Sequence, residues 1–137
     1  MYTLRMNYLS HPKKKRVLFV CSQARNRSFT ARNLAVLGGM LAECAGTDSS
    51  ARLPLTNALL LEADVVVCME KHHTKAVKKM MGAEGKTVYT LAVEDLYNPF
   101  DQELANTLVH KLKDLDFDVS NALAVGYSVY VQENEMA

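Results

Sequence analysis

Five consecutive apolar residues, Val65-Val66-Val67-Cys68-Met69, stand between Asp64 and Glu70. The run is too short for a helix and is rich in β-branched side chains, so it reads as a strand. Apolarity at every position, rather than at every second one, means that both faces of the strand are covered. That is the condition of a parallel strand lying between two layers of helices. A second run of this kind, Val17-Leu18-Phe19-Val20, leads into Cys21. Helical patterns alternate with the strands. The spacing predicts helices over 28–37, 71–81 and 102–115, and another with Pro54 in its first turn. Further strands are expected over 40–45 and 87–91. Gly38-Gly39 closes the first helix by supplying positive φ at its cap. Such alternation argues for an α/β fold, a parallel sheet with helices on both faces.

The first strand is followed at once by chemistry. Residues 17–28 read V-L-F-V-C-S-Q-A-R-N-R-S. Cys21 falls at the carboxyl end of the strand, and Arg27 and Ser28 come just as the helical pattern starts. Backbone N–H groups in a tight loop, together with a helix N-terminus, make an anion cradle. An arginine at its end adds a bidentate grip on phosphate oxygens. A cysteine held in such a field ionises below the free value of ~8.5 and becomes a nucleophile at neutral pH. Ligands of open parallel sheets sit beyond the carboxyl ends of the strands, where strand order reverses.

Composition narrows the rest. A chain of 137 residues is one domain, here 16–115, preceded by an extension over 1–15 and followed by a segment, 116–137, that is harder to place. Within that segment, 121–131 has β-branched and aromatic content that fits an added edge strand, a docking segment or a poorly ordered tail. The formal net charge of +1 gives no case for nucleic acid or a membrane surface as partner. No apolar run approaches the ~20 residues needed to span a bilayer. Arg5 and Asn7 interrupt the first ten residues, so no signal-peptide core is read there. Three cysteines, Cys21, Cys44 and Cys68, are an odd number without zinc-ligand spacing. They speak against a disulfide framework and suit a reducing cytoplasm. The P-K-K-K-R-V run at 12–17 has the composition of a nuclear-import signal, and its simpler reading is a solvated lysine edge at a strand start. His72-His73 reads as a solvated pair, or as a pair with one polar contact, since neighbours on a helix diverge, and no metal is assigned to it. Met69, Met80 and Met81 read as core, and His110 as surface.

The motif C-x-x-x-x-x-R-S after V-L-F-V resembles that of the low-molecular-weight protein tyrosine phosphatases. Three further stretches are similar to theirs: A-G-T-D-S at 45–49, E-A-D-V-V-V-C-M-E-K at 62–71, and V-E-D-L-Y-N-P-F-D at 93–101, which resembles the family's I-E-D-P-Y loop. The resemblance covers roughly 16–112. It implies a three-layer flavodoxin-like fold with a four-stranded parallel sheet of order 2-1-3-4. It also implies phosphomonoester hydrolysis, above all of protein phosphotyrosine, through a phosphocysteine on Cys21 and without metal or other cofactor. By the same match, Ser22, Gln23, Ala24, Arg25, Asn26, Arg27 and Ser28 bind phosphate. Asp95 is the general acid, with Asp101 in reserve, and Tyr97 walls the substrate pocket. A protonated acid at the start of the reaction implies an acid-shifted optimum.

Four positions depart from the family pattern. Gln23 stands where a Gly is usual, Ala24 where an Asn braces the loop, Asn26 where a second Cys guards the nucleophile, and Leu96 where a Pro follows the acid. A Gln in place of Gly strains a loop that needs positive φ. A divergent subgroup with C-S-x-N-R-x-R-S loops is similar at Ser22 and Arg25. Two other readings share the fold. A thioredoxin-coupled arsenate reductase needs a relay of further cysteines. A non-catalytic module that binds an anion or a phosphoprotein needs the cradle but has no use for Asp95.

Overall fold

The computed structural model describes residues 15–136. The extension read over 1–15 lies, apart from Lys15, outside the described residues, as do Lys13 and Lys14 of the basic run. Four parallel strands form one sheet in the order β2-β1-β3-β4: β1 is Arg16–Cys21, β2 Leu41–Gly46, β3 Val65–Cys68 and β4 Thr87–Thr90. In register, Val17 lies between Ala42 and Val65, and Val20 between Ala45 and Cys68. The order reverses at β1, which sends its chain end and Cys21 to the switch point expected from the sequence.

The helices are α1 (Arg27–Leu37), α2 (Asn57–Glu62), α3 (Lys71–Lys78), α4 (Gln102–Leu112) and α5 (Phe117–Met136). Because side chains alternate along a strand, β1 feeds two cores. Val17, Phe19 and Cys21 pack with Leu34 of α1, Leu104 and Leu108 of α4, and Val119 and Leu123 of α5. Leu18 and Val20 pack on the other face with Leu60 of α2 and Val77 of α3. This is the three-layer flavodoxin-like arrangement.

Several boundaries differ from the sequence reading. Pro54 is not in a first helical turn: it bridges Gly46 in extended backbone, and Thr56 caps α2 by accepting the Leu59 N–H at 3.2 Å. The third helix stops at Lys78 and gives way to a 3-10 turn over Met81–Ala83. The turn is pinned where Asn57 Oδ1 accepts the Gly82 N–H, which leaves Met81 82% exposed and outside the core. Of the Gly38-Gly39 pair, only Gly39 has positive φ, at 91°.

The largest difference is the C-terminal segment. Residues 121–131 form no edge strand; they lie inside α5, which packs on α1 and α4. Asp116 starts this helix by accepting the Val119 N–H at 3.3 Å, and Lys15 pairs with its other oxygen at 2.9 Å. Buried Val119, Ala122, Leu123 and Gly126 recur at helical spacing beneath the β-branched content that suggested a strand. Gly126 crosses α1 at backbone contact: a Cβ there would stand 1.7 Å from the Leu34 carbonyl oxygen.

Candidate active site

The loop between β1 and α1 is held from outside by its carbonyls. Those of Cys21, Ser22 and Gln23 accept N–H bonds from Thr47, Asp48 and Arg52, at 2.9, 3.0 and 3.0 Å. In a planar trans peptide the N–H points opposite to the carbonyl. The N–H groups of Ser22, Gln23 and Ala24 therefore turn to the inner side, where the Ala24 N–H reaches Cys21 Sγ at 3.3 Å. Ser28, fully buried in the first turn of α1, places its Oγ 2.9 Å from the same sulfur. A thiolate at Cys21 would thus meet donors from two directions.

Positive φ in this loop falls at Ala24 (57°) and not at Gln23. The strain expected at Gln23 is absent; its side-chain amide instead bonds Asp48. Ala24 is completely buried and carries the left-handed backbone itself. Asn26 Nδ2 bonds the Tyr97 carbonyl, tying the cradle to the loop after β4, while Asn26 Oδ1 is buried with no partner among the described residues.

Arg27 is 4% exposed. Its Nη1 donates to Glu70 Oε2 at 2.5 Å and to the Val93 carbonyl at 2.8 Å. Asp95 Oδ1 stands 3.9 Å from Nε. Nη1 is saturated, so the Nε/Nη2 edge remains for a planar two-point grip on an oxyanion. Asp95 is 65% exposed and faces that same edge. Asp101 turns to its own loop, accepting the Asn98 N–H at 3.0 Å. Tyr97 is half-buried against the core beneath α1 and α4, and meets the cradle through its carbonyl. Ala92 and Phe100, with φ of 58° and 64°, bracket the loop that carries Asp95.

Two residues beside the loop were not read as part of the site from the sequence. Glu70 caps α3 and holds Arg27, which keeps its carboxyl below the usual carboxylate range. His73 is fully buried, and its Nε2 lies 2.9 Å from Ser22 Oγ. Of the two readings of the histidine pair, the polar contact is the one observed. Only His72 is exposed, and the two rings sit with centroids 4.0 Å apart rather than diverging. The legible signal was Glu70-x-x-His73, two polar side chains at capping-box spacing directly after a buried strand. Glu70, His72 and His73 bring possible ligand atoms within 4.8 Å of one another. Glu70 is committed to Arg27, and both nitrogens of His73 are already bonded, so a cation there would have to break these contacts.

Burial pushes the thiols of Cys44 and Cys68 up to about 11, and both are buried, which weighs against their serving as the cysteine relay of the arsenate reductase reading. No helix among the described residues is long and apolar enough to cross a membrane.

No family model matches the chain, and no curated protein is similar to it in sequence. Solved structures are similar in shape. The YwlE arginine phosphatase from Geobacillus stearothermophilus superposes with a TM-score of 0.52 at 17% identity, covering 90% of this chain and 97% of its own. Vibrio vulnificus Wzb, solved with benzylphosphonate, gives 0.52 at 15% identity, over 88% of this chain and 99% of its own. A low-molecular-weight protein tyrosine phosphatase from T. tengcongensis gives 0.50 at 20% identity, over 80% and 98%. Together with the strand order, these likenesses show that the chain has the fold of the low-molecular-weight protein tyrosine phosphatases.

Proposed function

We propose that the protein is a cysteine-dependent phosphatase acting on phosphomonoesters, with protein phosphotyrosine as its main substrate class. The observation that carries this reading is the convergence on one sulfur. Cys21 Sγ meets the Ala24 N–H and Ser28 Oγ at the mouth of a loop of inward N–H groups, with the Arg27 Nε/Nη2 edge and Asp95 beside it. The thiolate attacks phosphorus in line, while the N–H groups of 22–27 and Arg27 hold the equatorial oxygens. The bond from phosphorus to the leaving oxygen breaks, and Asp95 gives that oxygen its proton. Ser28 stabilises the sulfur as nucleophile and later as leaving group. Asp95, now ionised, takes a proton from water as the water attacks phosphocysteine; the S–P bond breaks and inorganic phosphate departs. The residues of the cradle would serve phosphate without any metal.

Two of the structural neighbours bear on substrate, one as an arginine phosphatase and one as a benzylphosphonate complex. For this chain we take the aryl ester on the strength of the resemblance of its V-E-D-L-Y loop, since Tyr97 itself packs against the core and meets the cradle through its carbonyl. A nucleophile without a vicinal cysteine needs a reducing compartment, and we place the protein in the cytoplasm.

The test is hydrolysis of p-nitrophenyl phosphate between pH 4.5 and 8 by wild type, Cys21→Ser and Asp95→Asn. We expect no turnover by Cys21→Ser and a loss of about a hundredfold or more by Asp95→Asn. A reduced wild type that binds vanadate yet turns nothing over would replace this reading with the anion-binding module. Phosphotyrosine and phosphoarginine peptides, compared by kcat/KM, decide the substrate class.

A further inference from the structure

His73 has no exposed surface, and each of its ring nitrogens has one polar partner. Nδ1 accepts the Glu70 backbone N–H at 3.0 Å, and Nε2 lies 2.9 Å from Ser22 Oγ. A ring nitrogen that accepts an N–H carries no proton, so the neutral ring holds its proton on Nε2. Burial keeps the ring neutral, bringing its pKa down from 6.5 to about 4. Nε2–H therefore donates to Ser22 Oγ. The Ser22 hydroxyl cannot return that bond, and its own hydrogen is left for another acceptor.

We propose that His73 is a positioning residue of the cradle, acting through Ser22: its Nε2–H makes the Ser22 hydroxyl an obligate donor to the bound oxyanion. The proposal rests on the reading of this loop as an oxyanion site. A cradle stabilises an anion when each group facing it is a donor. A serine hydroxyl can turn either its hydrogen or a lone pair to the ligand. With the opposite tautomer, Ser22 would donate to the ring and face the oxyanion with lone pairs. The Glu70 N–H at the start of α3 selects between the two. The Glu70 carboxylate meanwhile holds Arg27, so one helix end sets the donors on both sides of the loop.

Three variants separate this role from plain support of the helix. His73→Asn keeps an acceptor near the place of Nδ1 and loses the donor to Ser22. His73→Gln puts an amide N–H near the place of Nε2 and loses the cap. Ser22→Ala removes the hydroxyl and leaves the histidine. Orthovanadate affinity is measured by titration calorimetry, alongside kcat and KM for p-nitrophenyl phosphate. Ser22→Ala and His73→Asn should each weaken vanadate binding about tenfold, and the double variant no further. His73→Gln should bind close to wild type although its melting temperature falls. Wild-type affinity in His73→Asn with a loss in His73→Gln would make His73 a helix cap alone and overturn the proposal. Ser22→Ala binding as wild type would do the same, and it decides the matter if the histidine variants do not fold. A wild type that binds no vanadate at all takes down the oxyanion site itself, a failure visible before any variant is compared.

Discussion

The ring of Phe100 lies flat on that of Tyr130, with centroids 4.7 Å and planes 13° apart. Phe100 closes the loop that carries Asp95, and Tyr130 belongs to α5, so the C-terminal helix holds the Asp95 loop, which carries the proposed acid, in place. The edge of Phe29, at the start of α1, completes the contact at 6.0 Å, and the Arg52 guanidinium covers Phe29 at 4.6 Å. Tyr130→Ala should cost about 1–2 kcal/mol of stability and lower kcat several-fold. The loss should be larger for phenyl phosphate than for p-nitrophenyl phosphate, because the poorer leaving group depends more on the positioned acid. Equal losses on both substrates would detach Tyr130 from the acid loop.

Glu70 is the anchor of Arg27. Glu70→Gln keeps the shape but removes the charge facing a nearly buried guanidinium. We expect kcat/KM to drop by about tenfold or more, with the larger share in KM for phosphate esters. Unchanged kinetics in this variant would show that Val93 and the loop alone orient Arg27.

Acid should destabilise the fold through His73. The unfolded histidine binds a proton below 6.5, whereas the folded one resists until about 4 because burial disfavours its charge. Between these values the unfolded state holds more protons, so stability is fully present above pH 6.5 and falls as pH drops towards 4. The loss is on the order of 3 kcal/mol. Glu70, whose ionised form is favoured by Arg27, adds a loss in the same direction at lower pH. Urea unfolding at pH 7, 5.5 and 4.5 should show the decline in wild type and a flatter profile in His73→Asn.

Gly126→Ala should be among the most damaging single changes in the chain. Its Cβ would stand 1.7 Å from the Leu34 carbonyl oxygen, where backbone meets backbone and no side chain can yield. A cost of about 3 kcal/mol or more is expected, read as a fall in melting temperature. A melting temperature within a degree or two of wild type would show that α5 can lift from α1 freely.

Ala24→Gly should act in the opposite sense. An alanine at φ 57° carries left-handed strain that glycine does not. The variant should gain up to about 1 kcal/mol, measured by urea unfolding. A loss of stability would mean that packing of the buried methyl outweighs the backbone term.

The sheet and the cradle were legible because they are written locally. Val65–Met69 and Val17–Val20 are apolar at every position, and such runs have one stable home, the middle of a covered parallel sheet. Cys21, Arg27 and Ser28 lie within a single strand-loop-helix unit, so their neighbourhood follows from chain connectivity. Asp95 was singled out by resemblance rather than by geometry, and its place 3.9 Å from Arg27 follows because the carboxyl ends of parallel strands meet on one edge.

Other features depend on contacts between distant stretches. Local content at 121–131 left an edge strand, a docking segment and a poorly ordered tail open; the helix forms because Asp116 caps it and its glycine lets it press onto α1, burying Leu123 and Val119. The place of positive φ in the cradle was set by the carbonyl anchors from 47–52, which turn the chain at Ala24 rather than at Gln23. His73 and Glu70 could be read as exposed polar residues until α3 was docked against the loop, 51 residues from Ser22 and 43 from Arg27. The sequence by itself determined the buried parallel strands, the helices that begin near 28, 71 and 102, and where a thiol and a guanidinium share one loop, since period and connectivity are local properties. Only the tertiary structure decided which buried partners orient those groups, because that depends on which side chains the packed layers bring within hydrogen-bond reach.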